Sequence, residues 1–258
     1  MEDPTEEHAS TAKPDYGIDA PAVLRNLFLF GAACLLASFF LPHTLHLGPV
    51  IFAARPMFRG TGIALLIEAL LYLLYVKKGK LKHRDHILSL HPWRGDEQVL
   101  DVGCGRGLLL AGAAKRLATG YAAGHATGID LWSNVDMGAN SPEATHRNLR
   151  IEGVADRCTV LSRPAQAMEF PDGSFDVIVS NLCLHNIYDA PTRAQALGEI
   201  VRVLRPGGVA LISDYKRTRE YAAKFAAMGL HVERKRGNIL ATFPPLAVVI
   251  ARKPNTAP

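Results

Sequence analysis

Residues 99–107, VLDVGCGRG, place three glycines in five positions directly behind an apolar run that ends in an aspartate. The run Gln98 to Val102 lacks the alternation of a strand with one wet face, so it reads as a strand buried on both sides. Gly103, Gly105 and Gly107 then form a turn that tolerates positive φ and brings backbone close to a ligand, ahead of a helix expected over Leu108 to Leu117. A dinucleotide turn spaces its glycines G-x-G-x-x-G, and counting from Gly103 the third position is Leu108. Asp101 adds a carboxylate at the strand end, a poor neighbour for pyrophosphate and a good one for a positive centre.

Downstream, short apolar runs alternate with helical patterns. Strands are predicted at Ala126–Ile129, Cys158–Leu161, Phe175–Ser180 and Val209–Ser213. Helices are predicted over Pro142–Glu152, capped by Ser141, over Thr192–Leu204, and near Arg219–Met228. A terminal hairpin pairs His231–Arg234 with Ala247–Ala251. The fold class is therefore α/β: a doubly wound, mostly parallel Rossmann-like sheet with a C-terminal antiparallel hairpin, preceded by a hydrophobic helical hairpin. Ligands in such sheets bind beyond the carboxyl ends of the strands, which is where the glycine turn lies.

Four pieces in this order, VLDVGCGRG, GIDLW (128–132), FPDGSFDVIVSNLCLHNI (170–187) and EIVRVLRPGG (199–208), resemble the class I S-adenosylmethionine-dependent methyltransferases, from about Asp96 to Pro254. The chain also resembles methyltransferase-domain proteins with a hydrophobic N-terminal segment. The resemblance implies S-adenosyl-L-methionine as cofactor, with Asp101 and the turn Gly103, Cys104, Gly105 and Gly107 around its methionine part. Asp130 is expected to hold the ribose hydroxyls, with Leu131 and Trp132 beside it. Many relatives place an aspartate against the adenine where this chain has Pro164, so adenine recognition falls to backbone groups or to Ala165 and Gln166. An inserted loop, WSNVDMGANS, follows the ribose acid, and Trp132 lies either against the cofactor or packed under that loop.

In-line methyl transfer needs a positioned nucleophile, and a base only when the acceptor retains its proton. Asn181 and His185, just past the fourth predicted strand of the sheet, are the catalytic candidates, with packing as the alternative role for His185. Asp214, Tyr215 and Lys216 end the next strand and line either the acceptor side or a polar rim. Cys183 has no activating partner in the sequence and reads as core.

Towards the N-terminus the composition changes sharply. Residues 1–22, with four acidic residues before Ala9 and several prolines, read as a flexible segment in which only Tyr16 to Pro21 has docking character. Residues 23–84 form a membrane-associated segment with two apolar stretches, Leu27–Leu41 and Ile63–Val76, and residues 85–258 form the methyltransferase domain. Fifteen residues of helix reach ~22 Å, short of a ~30 Å hydrocarbon core, so the alternative is a pair of helices covering the catalytic domain. Neither stretch has the polar face of a soluble helix, which favours a membrane hairpin, with Glu68 in need of a partner. Lys77, Lys78, Lys80, Lys82 and Arg84 follow the second stretch, which places the catalytic domain on the cytoplasmic face and the basic linker near headgroups.

A net charge of +5 without a dense basic stripe argues against nucleic acid, and four scattered cysteines show no metal-ligand spacing. The expected partners are the membrane and a small, lipophilic acceptor. Two rival classes are a catalytically idle cofactor-binding membrane module and a nicotinamide-dependent oxidoreductase. The second is disfavoured by Leu108 and by the lack of a Tyr-x-x-x-Lys pair.

Overall fold

A computed structural model describes residues 12–119, 124–237 and 242–255. An apolar helical hairpin comes first. Helix α1 (Pro21–Phe40) starts with proline at its first position, and a small ribbon of β1 (Leu45–Leu47) and β2 (Val50–Phe52) turns the chain into α2 (Ala54–Leu74). A π-helical turn, Tyr75–Gly79, joins α2 to α3 (Lys80–Ser89). At 20 residues α1 is ~30 Å long, longer than the apolar run alone suggests, because Pro21 to Asn26 extend it. Most apolar side chains of the hairpin, among them Phe30, Phe39, Phe40, Ile67 and Leu70, point outward.

The sheet contains β3 (Gln98–Val102), β4 (His125–Asp130), β5 (Cys158–Ser162), β6 (Phe175–Asn181), β7 (Leu204–Asp214), β8 (His231–Arg236) and β9 (Ala247–Arg252) in the order β5-β4-β3-β6-β7-β9-β8. The first five run parallel, whereas β9 is antiparallel to both β7 and β8. Helices α4 (Leu108–Ala114), α5 (Pro142–Ile151), α6 (Ala190–Val203) and α7 (Thr218–Ala227) complete the domain. Alternation along the strands divides the core: Val99, Val209 and Leu211 pack with α3 and α4, while Leu100, Ala210 and Ile212 pack with α6 and α7. The two neighbours of β3 are β4 and β6, so the chain reverses direction across the sheet at β3 and opens a crevice at its carboxyl end.

Three expectations need correction. The first helix of the domain stops at Ala114, because the following residues wind into tight turns in which Arg116 and Leu117 donate to carbonyls three residues back. Residues 12–20 are not loose; residues 1–11 lie outside the described part. Asp15 pairs with Arg106 at 2.8 Å, Tyr16 is buried with its hydroxyl on Glu152, and Asn148 clasps both backbone groups of Asp15. The basic stretch after α2 is not a solvated linker throughout. Lys80 is buried, and its ammonium donates to the carbonyls of Tyr16 and Gly17 at 2.9 and 2.5 Å, with Asp19 at 3.7 Å.

Candidate active site

The strand-to-helix turn is built by its own backbone. The N–H groups of Gly103 and Cys104 both donate to the Ile129 carbonyl, at 2.8 and 3.0 Å, which ties the end of β3 to the end of β4. Gly103 adopts φ 73°, and a Cβ there would lie 2.2 Å from the Cys183 sulfur, so both conformation and space require glycine. Gly107 is the N-cap of α4.

Beyond this turn lies a cavity of about 500 Å³, in the range of small-molecule sites. Gly103, Gly105, Asp130, Leu131, Ala165, Gln166, Asn181 and His185, all expected from the sequence, line it. The Asp130 carboxylate accepts from the N–H groups of Gly105 (2.8 Å) and Trp132 (2.6 Å) and from the Asn140 amide (3.2 Å), so its orientation is fixed before any ligand arrives. Asn140 comes from the inserted loop and was not singled out from the sequence.

Four expected residues do not line it: Gly107 caps α4, Asp101 lies behind the turn, and two side chains, Trp132 and Cys104, pack in the core. The Trp132 indole N–H donates to Ser162 at 2.7 Å and its ring packs on the core, away from the cavity. The Cys104 side chain is buried in the same core, leaving only its backbone in the turn.

Asp101 lies just behind the turn, in a smaller space of about 30 Å³ shared with Lys80, Arg106 and Asn181. Neither of its oxygens has a hydrogen-bond partner among the described residues. Burial pushes its carboxyl up to about 8, against the weak pull of the Leu110 N–H, and the nearby Asp130 charge adds to the rise. A buried carboxyl without a partner beside a ligand-sized cavity suits a cationic group, as the ammonium of an amino-acid moiety would supply. The glycine turn, the fixed Asp130 carboxylate and this unpartnered acid together fit S-adenosylmethionine.

The end of β7 supplies a second constellation. Asp214, 1% exposed, accepts from the N–H groups of Tyr215 (2.8 Å) and His185 (3.2 Å) and from the Tyr221 hydroxyl (3.3 Å). His185 Nδ1 stands 2.9 Å from an Asp214 oxygen without hydrogen-bond geometry, and its ring meets the Tyr215 ring edge-on at 4.7 Å. Nε2 has no partner among the described residues, and His185 borders the cavity. Between Asn181 and His185, Leu182 is held at φ 56°, an unfavourable conformation for a branched residue that its N–H bond to Ser213 (3.0 Å) helps to fix. Burial and the surrounding carboxylates hold the Cys183 thiol protonated, in keeping with a packing role.

The opposite wall comes from parts of the chain the sequence did not connect to the site. Asp19 and Val23 precede or open α1, Glu68 and Tyr72 lie on α2, Tyr75 starts the π turn, and Phe243 precedes β9. A third apolar cluster, Leu24, Ala69, Tyr72, Val76 and Leu246, joins the base of the hairpin to the sheet. The Tyr72 hydroxyl donates to the Asp19 carbonyl.

Comparison with known proteins agrees with this geometry. Residues 100–212 match the family model described as a methyltransferase domain. The chain is 34% identical over 124 residues to sterol 24-C-methyltransferase ERG6A of Gibberella zeae, covering 48% of this chain and 29% of that protein. It is 26% identical over 151 residues to the ubiquinone/menaquinone biosynthesis C-methyltransferase UbiE of Pectobacterium carotovorum, covering 58% and 55%. Among solved structures, a SAM-dependent methyltransferase from Aquifex aeolicus superposes with a TM-score of 0.54 at 18% identity, over 72% of this chain and 97% of that one. The chain thus spans 29% and 55% of the length of these two curated relatives.

Proposed function

We propose that the chain is a class I S-adenosylmethionine-dependent methyltransferase that methylates a small, lipophilic acceptor at the cytoplasmic face of a membrane, with residues 100–212 matching a methyltransferase domain. The observation that carries this reading is the composition of the cavity, one wall of which is the glycine turn and the other the base of an outward-apolar helical hairpin.

S-adenosylmethionine supplies an electrophilic methyl on a sulfonium, whose departure leaves a neutral thioether. The turn from Gly103 to Gly107 and Asp101 hold its amino-acid part, Asp130 its ribose, and Ala165 and Gln166 border its base. His185 takes the proton of an acceptor that retains one, and Asp214, 2.9 Å from its Nδ1, orients the imidazole. Asn181, at the end of β6, flanks the same space. The His185–Asp214 pair favours an enzyme over an idle binding module, which has no use for an oriented base.

The hairpin supports membrane attachment: α1 and α2 are long and apolar enough to span, and only 17% of each spanning window is buried. Lys77, Lys78 and Lys82 at the domain end of α2 support the cytoplasmic orientation. Two relatives are a sterol 24-C-methyltransferase and a ubiquinone/menaquinone biosynthesis C-methyltransferase, which points the same way. The test is incubation of the full chain in liposomes with methyl-labelled S-adenosylmethionine and separate lipid and aqueous cell extracts. Label entering the organic-soluble products is expected; label confined to water-soluble products overturns the lipophilic acceptor.

A further inference from the structure

Tyr75 is 4% exposed and borders the cavity, and its hydroxyl faces the Asn181 side chain without a well-formed hydrogen bond to any described residue. Buried hydroxyls are almost always paired, so an unpaired one at a ligand-sized cavity marks a position that a ligand completes. The Asn181 Oδ1, also buried and bordering this cavity, is unpartnered too. Tyr75 stands at the start of the π turn, an irregularity that recurs at functional sites. Glu68, Tyr72 and Tyr75 follow the i, i+4, i+7 pattern, which lays them along one helix face from the hairpin to the catalytic wall. Around them the lining is apolar, with Val23, Leu27, Leu182 and Phe243.

We propose that Tyr75 is the acceptor-binding residue, and that it selects a hydroxyl group carried on an apolar body. This rests on the lipophilic-acceptor reading above and adds the chemistry of the head group. The hydrogen-bond inventory separates the candidates. A hydroxyl has two lone pairs and one proton: one lone pair accepts from Tyr75, the proton faces Asn181 Oδ1 and His185, and the second lone pair stays free for attack. A neutral amine has a single lone pair, and accepting from Tyr75 would occupy the electrons it needs. A carbon nucleophile offers neither partner itself, so it leaves both groups unfilled unless the acceptor also carries a hydroxyl beside the reacting carbon.

The experiment measures binding of three probes, 4-dodecylphenol, 4-dodecylaniline and dodecylbenzene, to the full chain in phosphatidylcholine nanodiscs with S-adenosylhomocysteine present. The phenol is expected to bind about 10-fold more tightly than dodecylbenzene, as one hydrogen bond implies. Tyr75→Phe keeps the ring and removes the hydroxyl. It is expected to bring the phenol to the dodecylbenzene level while leaving dodecylbenzene and S-adenosylhomocysteine binding unchanged. Equal binding of phenol and dodecylbenzene by the unaltered chain overturns the polar contact without any variant, as does phenol binding untouched by Tyr75→Phe. Tighter binding of the aniline than of the phenol overturns the choice of a hydroxyl. If none of the probes binds although S-adenosylhomocysteine does, the lipophilic-acceptor reading itself fails and takes this inference with it.

Discussion

The two walls of the cavity are made in different ways. On the sheet side, the turn and two carboxylates are held by neighbours within the same crossover, while Asp101 and the Asn181 Oδ1 stay open: Gly103 and Cys104 bond Ile129, Asp130 takes the Gly105 and Trp132 N–H groups, and Asp214 takes those of Tyr215 and His185. On the hairpin side, residues 12–20, the end of α2 and the segment before β9 meet only through tertiary contacts, and the Tyr75 hydroxyl is left open. A cofactor common to many enzymes calls for the first kind of wall. An acceptor particular to one enzyme calls for the second.

The division of labour breaks most visibly at His185, which stands on the sheet side but acts on the acceptor. His185→Ala is expected to lower kcat by about 10²-fold or more, the usual contribution of a general base, with S-adenosylhomocysteine affinity unchanged. Initial rates alongside calorimetric titration check this. A loss of cofactor affinity equal to the loss of rate would put His185 in the cofactor wall and remove the distinction.

The hairpin wall depends on close approach of its two helices, which a pair of glycines on α2 tests. A Cβ at Gly62 would lie 2.7 Å from the Leu35 nitrogen and 2.9 Å from the Gly31 carbonyl oxygen, so the backbones must separate to admit it. A Cβ at Gly60, on the same helix, meets nothing. Alanine improves helix propensity by up to about 1 kcal/mol at either site, so Gly60→Ala should be neutral or stabilising. Gly62→Ala is expected to destabilise by about 1–3 kcal/mol, as overpacking does. It should also weaken probe binding at the hairpin wall while sparing the cofactor. Thermal melts of the full chain in nanodiscs, scored on helical signal, compare the pair; equal melting shifts would show that the helices do not meet at Gly62.

What could be read in the sequence follows the same division. The strands from Gln98 to Arg252 were located to within a few residues, apart from the longer β7, because buried parallel strands leave short apolar runs bounded by turns. The glycine turn, Asp130 and His185 were legible because each sits at a fixed offset from a strand end. Tyr75 and Asn140 were not, since nothing local distinguishes a tyrosine closing an apolar helix from one that packs; of the segment before α1, docking was legible only from Tyr16 on. Lys80 was misread for a related reason: within a run of basic residues, only the fold singles out the one that turns inward to meet the Tyr16 and Gly17 carbonyls. Trp132 was left open between the cofactor and packing; its backbone, with φ 60°, directs it to Ser162 and the core.

The smallest expected effect concerns a single proton and sharpens the sheet side of the comparison. With burial holding its carboxyl at about 8, against an ordinary value of 3.8, Asp101 keeps its proton at pH 6.5 in the free protein. This raised value makes folding less favourable as pH rises from about 4 towards 8, because the unfolded chain gives up that proton first. A ligand ammonium placed beside the carboxyl favours the charged form and lowers its pKa, so binding at pH 6.5 should release a fraction of a proton approaching one. At pH 9, above the free value, the release should vanish. Calorimetric titration of S-adenosylhomocysteine in buffers of different ionisation enthalpy reads the number of protons directly from the slope of the observed enthalpy. Asp101→Asn, similar in shape but unable to titrate, should bring the slope at pH 6.5 close to zero. If the slope persists in the variant, the proton comes from elsewhere and Asp101 does not face the amino group. If the unaltered protein gives no slope, the carboxyl is already ionised before binding, and the sheet-side wall holds a prepaired charge in place of one that the cofactor sets.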